Sequence, residues 1–126
     1  MNPSIAVAIV NYNTRDLLAR CLDALFAQEV TVPFEVWVAD NASSDGSVEM
    51  LREHYPNVRV IANSENLGFA EANNQIMREA QAASYFLLNT DTEIRPGALQ
   101  AVWELMQANP RNGMVAAALV SPDGSP

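Results

Sequence analysis

The feature that most restricts the fold is a set of five apolar runs, at residues 5–10, 34–39, 58–62, 85–88 and 114–120, separated by segments whose apolar residues recur at helical spacing. Such short runs suit strands buried on both faces, and those strands belong to parallel sheets covered by helices. A first helix is predicted over residues 15–28, with Thr14 as its cap, Asp16 in its first turn, and Leu17, Leu18, Cys21, Leu22, Leu25 and Phe26 at helical spacing. A short second helix, capped by Ser44 or Ser47, passes through Val48, Leu51 and Tyr55. The third carries Ala72, Ile76, Met77 and Ala80 and ends near Ala83. The fourth starts at Pro96, carries Leu99, Val102, Trp103 and Met106, and stops at Asn109-Pro110. β-α repeated four times and then β predicts an α/β fold, a mostly parallel Rossmann-like open sheet with helices on both faces. A chain of 126 residues fits a single domain over 1–126.

Charge excludes several functions. Fifteen acids face seven arginines, there is no lysine, and the formal net charge is −8. Nucleic acid is not an expected partner, because binding its phosphates requires a basic face and no Lys/Arg cluster is visible. Without lysine there is no Gly-Lys-Ser/Thr phosphate loop and no Schiff base. The Gly-x-Gly-x-x-Gly dinucleotide fingerprint is also missing after the first run. An acidic protein that binds a phosphorylated ligand needs a divalent cation between the two.

Oxygen-bearing side chains gather at the ends of three runs: Asn11-Tyr12-Asn13, Asp40-Asn41, and Asn89 with Asp91 and Glu93. In open α/β sheets the ligand crevice lies outside the carboxyl ends of the strands, so these residues are expected to share one cavity. Tyr12 offers a ring face, Asp40 an acceptor for a base N–H, and Asp91 a hard oxygen for magnesium or manganese. Gly68, in the loop after the third run, is expected to permit a positive φ or a close backbone approach. The alternative for Asp91 or Thr92 is a helix cap after the fourth run.

Four stretches, in order, resemble the motifs of family 2 glycosyltransferases: Val7-Ala8-Ile9-Val10-Asn11-Tyr12-Asn13, Val38-Ala39-Asp40-Asn41-Ala42-Ser43-Ser44-Asp45-Gly46-Ser47, Asn66-Leu67-Gly68-Phe69-Ala70 with Ala72-Asn73-Asn74, and Leu87-Leu88-Asn89-Thr90-Asp91-Thr92. The last is similar to the rhamnosyltransferase-like branch, which often has Leu-Leu-Asn-x-Asp-Thr where other members have Asp-x-Asp. The resemblance implies a GT-A fold, a nucleotide-sugar donor such as dTDP-rhamnose or a UDP-sugar, a divalent cation, and a saccharide or lipid-linked acceptor. By matching position it implies that Tyr12 stacks on the base, Asp40 holds its edge, and Asp91 lies nearest the metal, with Asn89 and Glu93 beside it. Asn11, Asn13, Asn41, Gly68, Asn73, Asn89 and Thr90 complete the implied donor site. Two positions depart from the pattern: Asn89 stands for the first acid of Asp-x-Asp, and Asn73 for an arginine common among relatives. Family catalytic domains usually continue well beyond the fifth run into the acceptor surface and catalytic base, so this chain is expected to be the donor-binding, truncated half.

The remaining residues have plainer readings. His54 is expected on the surface, Cys21 in the core, and Trp37 and Trp103 on apolar faces, while Asp45 is either a cap for the second helix or a ligand contact. Of the arginines, only Arg95 lies close to the proposed site. Nothing resembles a cleavable signal or a membrane span, which implies a cytoplasmic location, with a peripheral place at the inner membrane face in a longer protein. A receiver domain has similar length and order but needs adjacent acids after the first strand and a lysine, both missing here. A non-catalytic module that dimerises through an exposed sheet edge is the other alternative.

Overall fold

The computed structural model describes residues 4–109. Among them β1 (Ile5–Asn11), α1 (Arg15–Phe26), β2 (Phe34–Asn41), α2 (Ser47–His54), β3 (Arg59–Asn63), α3 (Phe69–Ala80), β4 (Ser84–Asn89) and α4 (Ala98–Ala108) follow in that order. The strand expected at 114–120 lies outside the described residues. The four strands are parallel and ordered β3-β2-β1-β4.

Side chains alternate across a strand, and β1 uses both directions. Ile5, Val7 and Ile9 join Leu18, Leu22 and Leu25 of α1, Leu51 of α2 and Leu99 of α4 in one core. Ala6 and Ala8 join Ala39 and, from α3, Ala72, Ile76 and Ala80 in the other. The helices therefore cover both faces, as expected for parallel strands. Each buried leucine or isoleucine of the larger core contributes about 1.5–3 kcal/mol. The smaller core is an alanine surface around Ile76, a shape that lets a helix backbone approach the sheet. Trp37 and Trp103 pack half-buried against the two cores, and His54 is exposed beside Glu53.

Several local expectations change. β4 is not buried on both faces: Phe86 and Leu88 face the larger core, but Leu87 is 47% exposed. Among the described residues β4 pairs only with β1, while α3 packs over alanines of β1 and β2. α3 ends at Ala80 because Gln81 takes a left-handed φ of 48°. α4 begins at Ala98, after Gly97 at φ 82°, so Pro96 belongs to the preceding turn. α1 stops at Phe26, and Gln28 turns its amide onto the carbonyls of Ala24 and Arg95.

Helix capping also differs. Thr14 occupies the N-cap position of α1, but its hydroxyl makes no capping bond. Asp45 performs that task from another loop: its Oδ2 accepts the N–H of Arg15 at 2.9 Å, and its Oδ1 accepts the N–H and hydroxyl of Ser47 at the start of α2. One carboxylate thus serves two helix starts, where the dipole favours negative charge. Burial opposes ionisation of Asp45, but the hydrogen bonds from the Ser47 side chain and from the main chain outweigh it and hold the carboxyl below its usual range. Its stabilising contribution is therefore complete above the unfolded value of about 3.9 and is lost as pH falls through the lower folded value. Asp45→Ala is expected to cost roughly 2 kcal/mol in urea unfolding at pH 7, and the gap from wild type should narrow below pH 4. An unchanged gap in acid would show that the carboxylate is not the stabilising species.

Candidate functional site

The strand order reverses at β1, with β2 and β3 on one side and β4 on the other. The crevice beyond the carboxyl ends of β1 and β4 is therefore the topological switch point, the ligand position of open α/β sheets. Register sets Asn11 beside Asp40 and Val10 beside Asn89, so three strand ends reach one rim.

Side chains then tie the loops together. Asn11 Nδ2 donates to Asp40 Oδ1 at 2.8 Å, and the Thr14 hydroxyl donates to Asn11 Oδ1 at 2.7 Å. Thr14 Oγ1 also lies 3.0 Å from Thr90 Oγ1, a hydrogen bond that spans the switch point. Ser43 donates its hydroxyl to Asp40 Oδ1 and its N–H to Asp40 Oδ2, and its oxygen accepts the N–H of Asn13. Asn13, at φ 52°, accepts the N–H of Ser44 in return. Asn41 donates to the carbonyl of Gly68 and accepts from Asn63 Nδ2, which holds the loop before α3. Gly68 has φ 83° with nothing within 4 Å of a Cβ position, so positive φ and not close approach requires the glycine.

The residues singled out in the sequence divide by use. Asn11, Asp40 and Asn41 are at most 2% exposed and spend their polar atoms inside the protein. Asp40 accepts three hydrogen bonds, two at Oδ1 and one at Oδ2, which leaves one lone pair on Oδ2. Tyr12 is 51% exposed, and Asn89, Asp91, Glu93 and Arg95 are exposed too. No described residue hydrogen-bonds the side chains of these five. After β4, the N–H and hydroxyl of Thr92 both bond to the carbonyl of Asn89, closing a turn with Thr90 and Asp91 at its tip. Neither Asp91 nor Thr92 caps α4, which starts at Ala98.

Ser43 and the link from Thr14 to Thr90 stand outside the site residues expected from sequence. The Asp40-x-x-Ser43 spacing carries a signal for the first, since Asp and Ser side chains close local turns. No local pattern announces a contact between residues 76 positions apart.

Acid placement decides what cation this rim suits. Among the described residues no three His, Cys, Asp or Glu side chains gather as a metal cluster. Asp91 at the tip of that turn, the Asn89 amide at its start and Glu93 just after it are hard oxygen donors. That fits magnesium or manganese, which bind one or two carboxylates and complete their shell with water and phosphate oxygens. Cys21, under the turn, points its thiol at the Asn89 carbonyl, 3.7 Å away. Burial, with the charges of Asp91 and Glu93, pushes that thiol up to about 12, so it stays protonated at neutral pH.

Asn73, in the second turn of α3, is 3% exposed, and among the described residues both polar atoms of its amide lack a hydrogen-bond partner. Two surface clefts lie away from the rim. One, of about 440 Å³, runs between Trp37 of β2 and Arg78 of α3, and the other, of about 490 Å³, lies between Phe26 and Tyr55.

A parallel open sheet flanked by helices on both faces is the α/β architecture of GT-A glycosyltransferases, and similar proteins share it. The family profile described as glycosyl transferase family 2 matches residues 6–125, and the chain belongs to that family. It is 28% identical over 136 aligned residues to the N-acetylglucosaminyl-diphospho-decaprenol L-rhamnosyltransferase of Mycobacterium tuberculosis, covering 99% of this chain and 44% of that protein. The mannosyltransferase PcManGT of Pyrobaculum calidifontis, solved with GDP-Man and Mn2+, superposes with a TM-score of 0.75 at 26% identity, over 87% of this chain and 34% of that one. TarS 1–349 of S. aureus, solved with UDP-GlcNAc, shares the fold at a TM-score of 0.75 and 19% identity, over 94% and 37% of the two chains. This chain thus spans less than half the length of these relatives.

The unpartnered amide of Asn73 carries a prediction of its own. A buried polar group without partners costs about 1–3 kcal/mol, so Asn73→Leu is expected to raise the urea midpoint of the free protein. A lowered midpoint would mean that the amide finds partners in solution.

Proposed function

We propose that this chain is the donor-binding part of a glycosyltransferase. In this reading it holds a nucleoside-diphosphate sugar, dTDP-rhamnose or a UDP-sugar, at the switch-point crevice for transfer to a saccharide or lipid-linked acceptor. One observation carries the reading: the loops after β1, β2 and β4 are hydrogen-bonded into a single rim, while Tyr12 and Asp91 on that rim are exposed and unengaged by described residues. A rim built that way has a fixed frame and free ligand contacts.

The roles follow from the chemistry of each group. The Tyr12 ring offers a face for the base, and the remaining lone pair on Asp40 Oδ2 is an acceptor for a base N–H. Asn11, Asn13, Asn41 and Gly68 shape the floor around that acceptor. Asp91 and Glu93, with the amide oxygen of Asn89, would hold magnesium or manganese, and Thr90 lies beside them on the turn. When bound, that ion joins a diphosphate to a protein of net charge −8 and offsets the charge on the departing diphosphate. The Asn73 amide, buried and without partners among the described residues, has no open surface toward the donor molecule in this structure.

The relatives support the finer points. The mycobacterial protein is named as a rhamnosyltransferase acting on a diphospho-decaprenol-linked sugar, and the mannosyltransferase was solved with a nucleotide sugar and Mn2+. Among the described residues no helix is long and apolar enough to cross a membrane. In this reading a lipid-linked acceptor is met through peripheral association at the inner membrane face.

Calorimetric titration with UDP and dTDP, with manganese and in chelator, tests the proposal. The expected result is binding that manganese strengthens, with the strengthening abolished in Asp91→Ala. Equal affinity with manganese and in chelator would remove Asp91 from a metal role, and no binding of either nucleotide would end the donor-site reading.

A further inference from the structure

The Thr14 hydroxyl is used unusually. A threonine at a helix N-cap ordinarily satisfies a first-turn N–H, yet here Asp45 accepts the N–H of Arg15 and Thr14 turns away from its helix. It meets Asn11 Oδ1 at 2.7 Å and Thr90 Oγ1 at 3.0 Å.

Proton counting fixes the direction of this line. A carboxylate only accepts, so the Asn11 atom facing Asp40 must be Nδ2, and Oδ1 of the same amide must face Thr14. That oxygen has no proton to give. The single proton of the Thr14 hydroxyl therefore goes to Asn11, and the Thr90 hydroxyl must donate to Thr14. Donors run one way, from Thr90 through Thr14 and Asn11 to Asp40, and each bond polarises the next. The line joins the loop after β4, which carries Asp91, to the end of β2 across the switch point. Its acceptor end is the carboxylate with one lone pair left for a base, and its donor end adjoins the residue given to the metal.

We propose that Thr14 is a positioning residue that couples the base side of the donor site to its diphosphate and metal side. The inference rests on the donor-site reading above and deepens it. Base contact at Asp40 tightens the hydrogen-bonded frame after β1 and β2, and the bond from Thr90 to Thr14 extends that tightening to the Asp91 turn. Manganese should therefore bind better when a base is in place, and by linkage a nucleotide should bind better with manganese, beyond the direct contact of metal with phosphate.

The test is the factor by which manganese strengthens UDP binding, measured calorimetrically on wild type, Thr14→Val and Thr14→Ser. Thr14→Val keeps the shape and removes the hydroxyl. It is expected to reduce that factor roughly three- to tenfold, the range of one hydrogen bond, while affinity in chelator changes less. Thr14→Ser should restore the factor. Thr90→Val breaks the same bond from the other side, so it should match Thr14→Val, and the double variant should lose no more than either alone. It also serves if Thr14→Val does not fold. Equal weakening with manganese and in chelator would make Thr14 merely structural and overturn the inference, as would additive losses in the double variant. The measurement uses dTDP if wild type does not bind UDP, and absence of binding of both nucleotides would instead overturn the donor-site reading on which the inference stands.

Discussion

A carboxylate with 1% exposure needs donors, and the arrangement around Asp40 meets that need with three hydrogen bonds from two separate places in the chain. Asn11 arrives from the neighbouring strand, and Ser43 supplies a hydroxyl and an N–H from the following loop. Removing such an acceptor from water without partners costs several kcal/mol, so these bonds are conditions for burying the group at all. Because β1 and β2 pair in register, with Asn11 beside Asp40, the sheet delivers one partner automatically. The loop geometry after β2, with Ala42 at φ 62°, delivers the other. From this centre the connections extend to Thr14 and Thr90, so the rim inherits its shape from a buried charge.

The same economy explains why polar residues close together in sequence do different work. Asn11 and Tyr12 are adjacent, but Asn11 ends β1 in the interior while Tyr12 lies just beyond the strand, half in solvent. Asp40 is consumed by the frame while Asp91, at the tip of a tight turn, is not. Asp45 holds the first residues of α1 and α2 in place, which frees Thr14 to face the crevice. Frame and contacts are thus separated residue by residue along a single rim.

Much of the architecture was legible from local pattern. Apolar runs and helical spacing located every described element, because burial on a sheet and burial on a helix impose different periods on the same residue types. The strand-end motifs identified the family because the backbone there must turn sharply and present oxygen donors, a requirement that leaves a local trace. Legibility failed where a side chain had a choice of partners. Thr14 looked like a cap, since threonine before a helix usually is one. β4 looked buried on both faces, since Leu87 and Leu88 are indistinguishable until a sheet position is assigned. Asn73 looked like a simple replacement for arginine, and only its surroundings reveal an amide with nothing to bond.

By itself the sequence determined that this chain forms a parallel α/β sheet, belongs among the family 2 glycosyltransferases and carries its polar chemistry at strand ends, because periodicity and short motifs depend on neighbours along the chain. Tertiary structure alone decided which of those polar groups are consumed and which remain free. Hydrogen-bond capacity is finite, and who uses it depends on what packs alongside: Asn11 reaches a residue 29 positions away, and Thr14 one 76 positions away. Distances like these are set by strand order and register, which no local stretch of residues encodes.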